Sequence, residues 1–227
     1  DNMVLKEKVY FSALQPEHRE GAVKLVLQNF LKNEPACKHL RMKYFPEHDI
    51  HAEMYFNEMA NQGFSFVAVD RETNQVVGVL FNTEYYPDRT NPLSEVLEKE
   101  TDECKGSCEF KRFLSVYEQN RSVVPDIFRH YGVDRCFYFG FLCVNPEYSN
   151  MGIATTLVKL SEEHAKNLGH RLCIVDATAG QTKHICVNKL GFNVLGEMKY
   201  KDFEFYGDKP LTHVNENETM QYVAKKY

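Results

Sequence analysis

The stretch that decides the fold is LCVNPEYSNMGIA, residues 142–154. It begins in a nearly continuous apolar segment, CFYFGFLCV at 136–144, which has the composition of a central strand covered on both faces. A short polar turn follows, and a helix is predicted over 152–168, with Gly152 and Ala154 in its first turn. Because the N–H groups of a first helical turn have no partners within the helix, such a turn is suited to binding an anion such as a phosphate.

The turn alone leaves two other interpretations open. Strand–glycine–helix turns also occur in dinucleotide-binding folds and in many proteins that bind nothing there. The phosphate-loop pattern G-x-x-x-x-G-K-[ST] and the dinucleotide fingerprint G-x-G-x-x-G are both absent from the sequence. The wider pattern of the chain therefore has to decide among these interpretations.

The rest of the chain predicts a single α/β domain over residues 1–227. Two adjacent segments, FSFVAVD at 64–70 and VVGVLFN at 76–82, have the pattern of a hairpin. The other predicted elements are helices over 21–31, 48–61 and 180–190 and strands over 8–13, 171–177 and 218–224, with one more strand starting at 192. This order implies a mixed central β-sheet flanked by helices.

One long excursion interrupts that order. Residues 83–106 are polar and contain Pro87 and Pro92, so they predict a departure from the core. Residues 108–130 regain a helical spacing of apolar side chains, which Pro125 must break or kink. We expect a helical insertion over about 83–130.

Composition and charge argue against several classes of protein. The net charge is -5 and the lysines and arginines are scattered, so a nucleic-acid partner is not expected. The seven cysteines are an odd number, several of them in predicted core elements, which favours reduced thiols in the cytosol. Cys104 and Cys108 have no second pair at finger-like spacing, so no metal is expected. The chain has no apolar run of the ~20 residues that span a membrane and no signal peptide at its start, which predicts a soluble, cytoplasmic protein without a membrane partner.

Three motifs in chain order resemble the GNAT superfamily of N-acetyltransferases. SNMGIA at 149–154 matches its coenzyme A motif Q/R-x-x-G-x-G/A, except that Ser149 stands where glutamine or arginine is usual. KLGF at 189–192 is similar to the second half of the invertebrate arylalkylamine (dopamine-type) N-acetyltransferases, and NEP at 33–35 is similar to their acidic-Glu-Pro element. The resemblance covers most of the chain from about 8 to 224.

The resemblance implies a GNAT-type fold with a coenzyme A-binding core at about 136–200 and a substrate-side insertion at about 83–130. It implies transfer of an acetyl group from acetyl-CoA to the primary amine of a small arylalkylamine of the dopamine, tyramine or serotonin type. Direct transfer in a ternary complex is expected, by a monomer or weak dimer whose partners are the amine and acetyl-CoA.

The resemblance also assigns roles to particular residues. Glu34 is the expected general base, acting through water on the substrate ammonium. The backbone groups of Leu142 and Val144 are expected to stabilise the charged carbonyl oxygen and to hold the pantetheine arm. The coenzyme pyrophosphate is expected on the turn that comprises Ser149, Asn150, Met151, Gly152, Ile153, Ala154 and Thr155.

Some of these residues also have a purely structural interpretation. From spacing alone, Glu34 is a solvated acid at a helix end. Cys143 lies in the predicted active strand, but no Cys-His-acid signature accompanies it, which favours packing over covalent catalysis. The general acid is unassigned because Asn188 stands where many relatives have tyrosine, and Thr182 and His184 are the candidates. A set of aromatic residues could line an arylalkylamine pocket or belong to the core: Phe45, Tyr55, Phe110, Phe113, Tyr117 and Phe128.

Three other activities stay open on the sequence. Polyamine, agmatine or histamine acetylation is one, because related enzymes differ mainly in the helical insertions. Acetylation of protein lysines or N-termini is another, and it would require an open groove rather than an enclosed pocket. A non-catalytic acetyl-CoA-binding module is the third, and it would have no need of Glu34.

Overall fold

The computed structural model describes residues 7–41, 50–87, 109–124 and 126–227. The strands of this part are Val9–Ala13 (β1), Phe66–Asp70 (β2), Val76–Tyr85 (β3), Cys136–Val144 (β4), Leu172–Ala177 (β5), Asn193–Lys199 (β6) and Thr219–Lys226 (β7). They form one sheet in the order β1-β2-β3-β4-β5-β7-β6. Neighbouring strands are antiparallel except β4 and β5, which are parallel. The predicted mixed α/β sheet is therefore confirmed.

Helices cover both faces of the sheet. Helix α1 comprises Arg19–Leu25, a π-helical turn at Val26–Phe30 and a last turn at Leu31–Asn33. The others are Pro35–His39 (α2), Ile50–Asn61 (α3), Glu109–Arg121 (α4), Ile127–Tyr131 (α5), Ile153–Asn167 (α6) and Gly180–Lys183 (α7), the last continued by a second π-helical turn at His184–Lys189. One apolar cluster joins α1, α3 and α4 to the sheet, and another joins α6 to the opposite face.

A bulge at Gly140 changes which side chains of β4 face each cluster. The pairing with β3 runs from Phe81–Phe141 to Asn82–Phe139, so Gly140 is an extra residue in β4. Phe139 consequently packs toward α6, whereas Phe141 packs toward α1 and α3. A Cβ on Gly140 would lie 3.0 Å from the carbonyl oxygen of Phe81, so the close approach of the two backbones requires glycine.

The observed elements differ from the predicted ones in three places. Strand β3 continues to Tyr85, three residues into the predicted excursion at 83–106, because its last residues pair with β4 from Cys136 to Tyr138. In the described part of the predicted helical insertion there are two helices, α4 before Pro125 and α5 after it. Neither π-helical turn was predicted. Cys104, Cys108 and Phe45 lie outside the described residues.

Within the described ranges, no helix is long and apolar enough to cross a membrane. No group of three or more His, Cys, Asp or Glu side chains in the same ranges is arranged to hold a metal ion.

Candidate active site

The sheet opens into a cleft where β4 and β5 separate. The two parallel strands pair only from Phe137 to Phe139 of β4, although β4 continues to Val144. A cavity of about 680 Å³ lies in the resulting gap. Its walls come from the end of α1 and the start of α2, the second half of β4, the turn into α6, and α7 with its π-helical turn.

The open edge of β4 presents backbone N–H groups to this cleft. The N–H of Asn145 donates to the carbonyl oxygen of Val77 in β3, at 2.8 Å. Because successive N–H groups of a strand point to alternate sides, those of Leu142 and Val144 point away from β3, toward the gap. Both residues line the cleft. Two donors spaced along one strand edge are suited to an extended amide chain or to a carbonyl oxygen that gains negative charge.

The turn from β4 into α6 forms the second part of the cleft. Its backbone has positive φ at Asn150 (62°) and at Gly152 (84°), and Gly152 is the N-cap of α6. No side chain caps the helix, so the first N–H groups of α6 are available to a ligand. The residues of the turn that line the cleft are Ser149, Asn150, Gly152, Ile153, Ala154 and Thr155. The remaining residue of the predicted set, Met151, packs against the apolar cluster under α6.

Glu34 lies at the junction of α1 and α2. Pro35 disfavours helical backbone in the residue before it, so Glu34 is extended (φ -64°, ψ 131°) and ends α1, while its side chain caps α2. The carboxylate is buried, with the residue 3% exposed, yet it lines the cleft. It accepts a hydrogen bond from the Cys37 N–H at 2.7 Å and another from the Tyr117 hydroxyl at 3.1 Å.

The environment of Glu34 changes its acidity. Burial raises the pKa of its carboxyl group to about 7, and the hydrogen bonds from Cys37, Thr178 and Tyr117 offset part of that rise. A carboxyl group with this pKa is half ionised near neutral pH, which suits proton transfer. The burial also argues against the interpretation of Glu34 as a solvated acid at a helix end.

The far wall of the cleft comes from the segment after β5. Its lining residues include both candidates for the general acid, Thr182 and His184. The ring Nδ1 of His184 lies 3.1 Å from the side-chain amide nitrogen of Asn188. Sequence reasoning missed Thr178, Gln181 and Lys189 in this wall and Asn29 and Phe30 in the opposite one. Of these five residues, only Lys189 could have been predicted from the sequence, because it belongs to the KLGF motif.

A narrow throat of about 20 Å³ continues from the cleft between β4 and β5. Asp176 lies there with a fully buried side chain, 3.0 Å from Nε of Arg121, and it accepts a hydrogen bond of 2.8 Å from the side-chain amide of Asn120. Burial raises the pKa of Asp176, and the Arg121 guanidinium offsets part of that rise. Tyr117, which lies one helical turn before Arg121 on α4, also lines the throat.

Most of the aromatic set belongs to the core. Tyr55, Phe110 and Phe113 are buried, and their rings contact one another or Phe141 in the cluster on the α1 face. Tyr117 is buried in the same cluster, but it also belongs to the site because its hydroxyl reaches Glu34. Phe128 packs in a third cluster, near the far end of β4.

The Cys143 thiol is also a packing group. It lies in the cleft wall but is only 5% exposed, and it contacts the carbonyl oxygen of Leu25 at 3.7 Å. Burial raises the pKa of the thiol to about 12, so almost none of it is thiolate at neutral pH. Both observations favour packing over covalent catalysis.

The fold and the cleft together define an acyltransferase that uses a coenzyme A thioester. A model of the acetyltransferase (GNAT) family matches residues 34–192, well over half of the chain, so the chain belongs to this family. Family members transfer an acetyl group from acetyl-CoA, and the cosubstrate is therefore acetyl-CoA.

Solved structures with the same fold include several N-acetyltransferases. Arylalkylamine N-acetyltransferase 2 from Aedes aegypti has a TM-score of 0.78 at 21% identity, over 96% of this chain and 98% of that one. The polyamine N-acetyltransferase of Drosophila melanogaster, which forms N-acetylagmatine, has a TM-score of 0.77 at 17% identity, over 96% and 100%. A chain of the NatC complex bound to Gag peptide and CoA has a TM-score of 0.57 at 12% identity, over 97% and 99%. At identities of 12–21%, the similarity to these three structures shows a shared fold and nothing more specific.

Proposed function

We propose that this acetyltransferase acetylates the primary amine of a small arylalkylamine by direct transfer from acetyl-CoA in a ternary complex. The observation that carries the proposal is Glu34, a buried carboxylate whose pKa is about 7 and which shares one cleft with the open edge of β4. A module that only bound the coenzyme would have no use for an acid held at this acidity and in this place.

Glu34 serves as the general base. An aliphatic ammonium has a pKa near that of lysine, ~10.4, so its nitrogen lone pair must be freed before attack. Glu34 accepts a proton from the ammonium, directly or through one water molecule. The neutral nitrogen then attacks the thioester carbonyl carbon and forms the new C–N bond.

The open edge of β4 stabilises the charge that follows. The carbonyl oxygen becomes an oxyanion, and the N–H groups of Leu142 and Val144 donate to it. The intermediate releases its second nitrogen proton to solvent as the C–S bond breaks, and the electron pair of that bond leaves with sulfur. Thr182 and His184, which both line the cleft, are the candidates to relay a proton from solvent to the thiolate. The products are the N-acetylamine and free CoA.

The lining of the cleft favours an aromatic monoamine over a polyamine. The ring of Phe30 contributes to the walls of both the cleft and the throat. Among the described residues that line the cleft, Glu34 is the one acid. Asp176 in the throat is already paired with Arg121, so a second cationic group would find no unpaired carboxylate in either space. The Aedes aegypti arylalkylamine N-acetyltransferase and the Drosophila melanogaster polyamine N-acetyltransferase share the fold at nearly equal TM-scores, so the choice between the two substrate classes rests on the lining of the cleft.

A panel of amines tests the substrate class. Release of free thiol from acetyl-CoA would be measured with dopamine, tyramine, serotonin, histamine, agmatine, putrescine and a lysine peptide. We expect the aromatic monoamines to have the highest kcat/KM, because agmatine and putrescine carry a second charge that the described cleft does not pair. Turnover of the lysine peptide alone would move the function to protein acetylation, and coenzyme binding without turnover would leave a binding module.

The pH dependence of the reaction tests the base. Since Glu34 acts when deprotonated, kcat/KM for the amine is expected to rise with pH through about 7 and then level. Tyr117→Phe removes a donor to the carboxylate, which raises the pKa of Glu34, so the rise should move about one pH unit higher. Tyr206→Phe, at a side chain far more exposed, is the control and should leave the profile in place. An unmoved profile in a folded Tyr117→Phe protein would contradict the assignment.

A further inference from the structure

The turn from β4 into α6 is tied to the β2–β3 hairpin at two points. At its start, the N–H of Asn145 donates to the carbonyl oxygen of Val77. After the 3-10 turn at Pro146–Tyr148, the Tyr148 hydroxyl donates to Asp70 Oδ2 at 2.7 Å, across 78 residues of sequence. Lys8 Nζ also lies 4.5 Å from the centroid of the Tyr148 ring. Tyr148 itself lines the cleft, immediately before the residues proposed to hold the pyrophosphate.

Asp70 is itself fixed in place by its own hairpin. Its Oδ1 atom accepts hydrogen bonds from the N–H of Glu72 (3.0 Å), the N–H of Thr73 (2.8 Å) and the hydroxyl of Thr73 (3.0 Å). Oδ2 is thereby directed at Tyr148. The Thr73 backbone and the Tyr148 hydroxyl lower the pKa of Asp70 to about 2, and Asp70 raises the pKa of Tyr148 to about 12. The hydrogen bond therefore keeps its charged acceptor and its neutral donor throughout the range in which the enzyme would be assayed.

The sequence of the turn explains why such support matters. Ser149 has a short side chain, so at this position the turn lacks a long side chain that could reach a phosphate. Binding then depends on backbone N–H groups, whose directions are set by the conformation of the turn. That conformation includes left-handed backbone at Asn150 (φ 62°) and at Gly152 (φ 84°), residue types that adopt it more readily than most.

We propose that Tyr148 and Asp70 are positioning residues that hold the turn at 145–152 in the conformation that binds the coenzyme pyrophosphate. The inference rests on the proposed function, with the coenzyme pyrophosphate on the turn at 149–155, and it assigns neither residue a contact with the reacting atoms. The hairpin at Asp70 supplies the rigidity, and Tyr148 transmits it to the turn. Loss of the hydrogen bond allows the turn to sample conformations in which its N–H groups no longer converge on the phosphates.

The test compares donors with and without the pyrophosphate. The dissociation constant of CoA would be measured by calorimetry, and kcat/KM would be measured with acetyl-CoA and with acetyl-pantetheine, which lacks the phosphates. Tyr148→Phe and Asp70→Asn are each expected to weaken CoA binding about tenfold, the size expected for a hydrogen bond to a charged group. Both should change kcat/KM for acetyl-pantetheine less than twofold, because the proposed site of the pantetheine arm is the open edge of β4 and not the turn. The double variant should be no worse than either single one.

A matched control distinguishes this positioning role from a general loss of rigidity in the hairpin. Tyr10→Phe removes a hydroxyl that contacts Asn74 in the same hairpin at 3.4 Å without lining the cleft, and it should leave CoA binding unchanged. An unchanged dissociation constant in Tyr148→Phe, or an equal loss with both donors, would overturn the proposal. CoA binding is measured without an amine, so failure of the arylalkylamine proposal would leave this result interpretable.

Discussion

Replacing Glu34 by glutamine is expected to lower kcat for amine acetylation by about 10²- to 10⁴-fold, the usual contribution of a general base. The amide has nearly the same shape and can still accept from the Cys37 N–H, but it cannot take a proton from the ammonium. The dissociation constant of CoA should be unchanged, because Glu34 belongs to the α1–α2 junction rather than to β4 or its turn. Steady-state kinetics with the best amine of the panel would measure the loss.

Glu20→Gln is the matched control for this substitution. Glu20 lies in the first turn of the same helix, is exposed, and does not line the cleft. Because substitutions at such surface positions usually have small effects, the activity of the Glu20→Gln protein should stay within about twofold of that of the unaltered protein. A Glu34→Gln protein that binds CoA and retains most of its kcat would show that another group, or solvent, removes the proton.

The same substitution is expected to stabilise the fold above neutral pH. Burial raises the pKa of Glu34 from 4.5 to about 7, so its stabilising contribution is complete below pH 4.5 and is lost as pH rises to 7. Ionising the buried Glu34 carboxyl therefore lowers the free energy of unfolding by about 3 kcal/mol at pH 8. Glu34→Gln removes this destabilisation because glutamine never ionises. Urea unfolding at pH 5 and pH 8 should show the larger gain at pH 8. Higher stability with lower activity is expected of a site that holds an acid in an unfavourable environment.

Asp176→Asn is expected to give the largest loss of stability, about 3 kcal/mol in the free energy of unfolding, because it leaves a largely buried guanidinium without its partner. For a chain of this length that loss corresponds to a fall of about 6–12 °C in Tm. We take the lower end of the usual range because the Arg121 side chain is 24% exposed and water offsets part of the cost. Thermal unfolding followed by circular dichroism would measure it.

Two further variants identify the cause. Glu216→Gln breaks the exposed ion pair with Lys201 and should leave Tm unchanged. Asp176→Asn combined with Arg121→Met removes both charges and should recover part of the loss, because no unpaired charge then stays buried. A double variant as unstable as the sum of the two single ones would mean that packing, not charge, causes the effect.

Much of the fold followed from local patterns. The nearly continuous apolar run of β4 predicted a central strand, and the polar turn with Gly152 before a periodic apolar face predicted the start of α6, because both signals lie within one segment. The hairpin of β2 and β3 was predicted for the same reason. The bulge at Gly140 was not, because it depends on how Phe81 in another strand approaches β4. The end of β3 was misplaced because Thr83, Glu84 and Tyr85 are polar or mixed, and only their pairing with β4 makes them strand.

In the candidate site, too, some features were predictable from local sequence and others depend on tertiary contacts. The sequence by itself predicted the turn with Gly152 at the start of α6 and placed Glu34 at a helix end before Pro35, because glycine and proline act on the backbone locally. It also indicated the family, through motifs in chain order. Only the tertiary structure decided that Glu34 is buried with a pKa of about 7, that Tyr117 and not the rest of the aromatic set reaches it, and that Tyr148 is fixed by Asp70. Each of these depends on groups dozens of residues apart, and desolvation or a hydrogen bond between such groups exists only once the chain has folded around them.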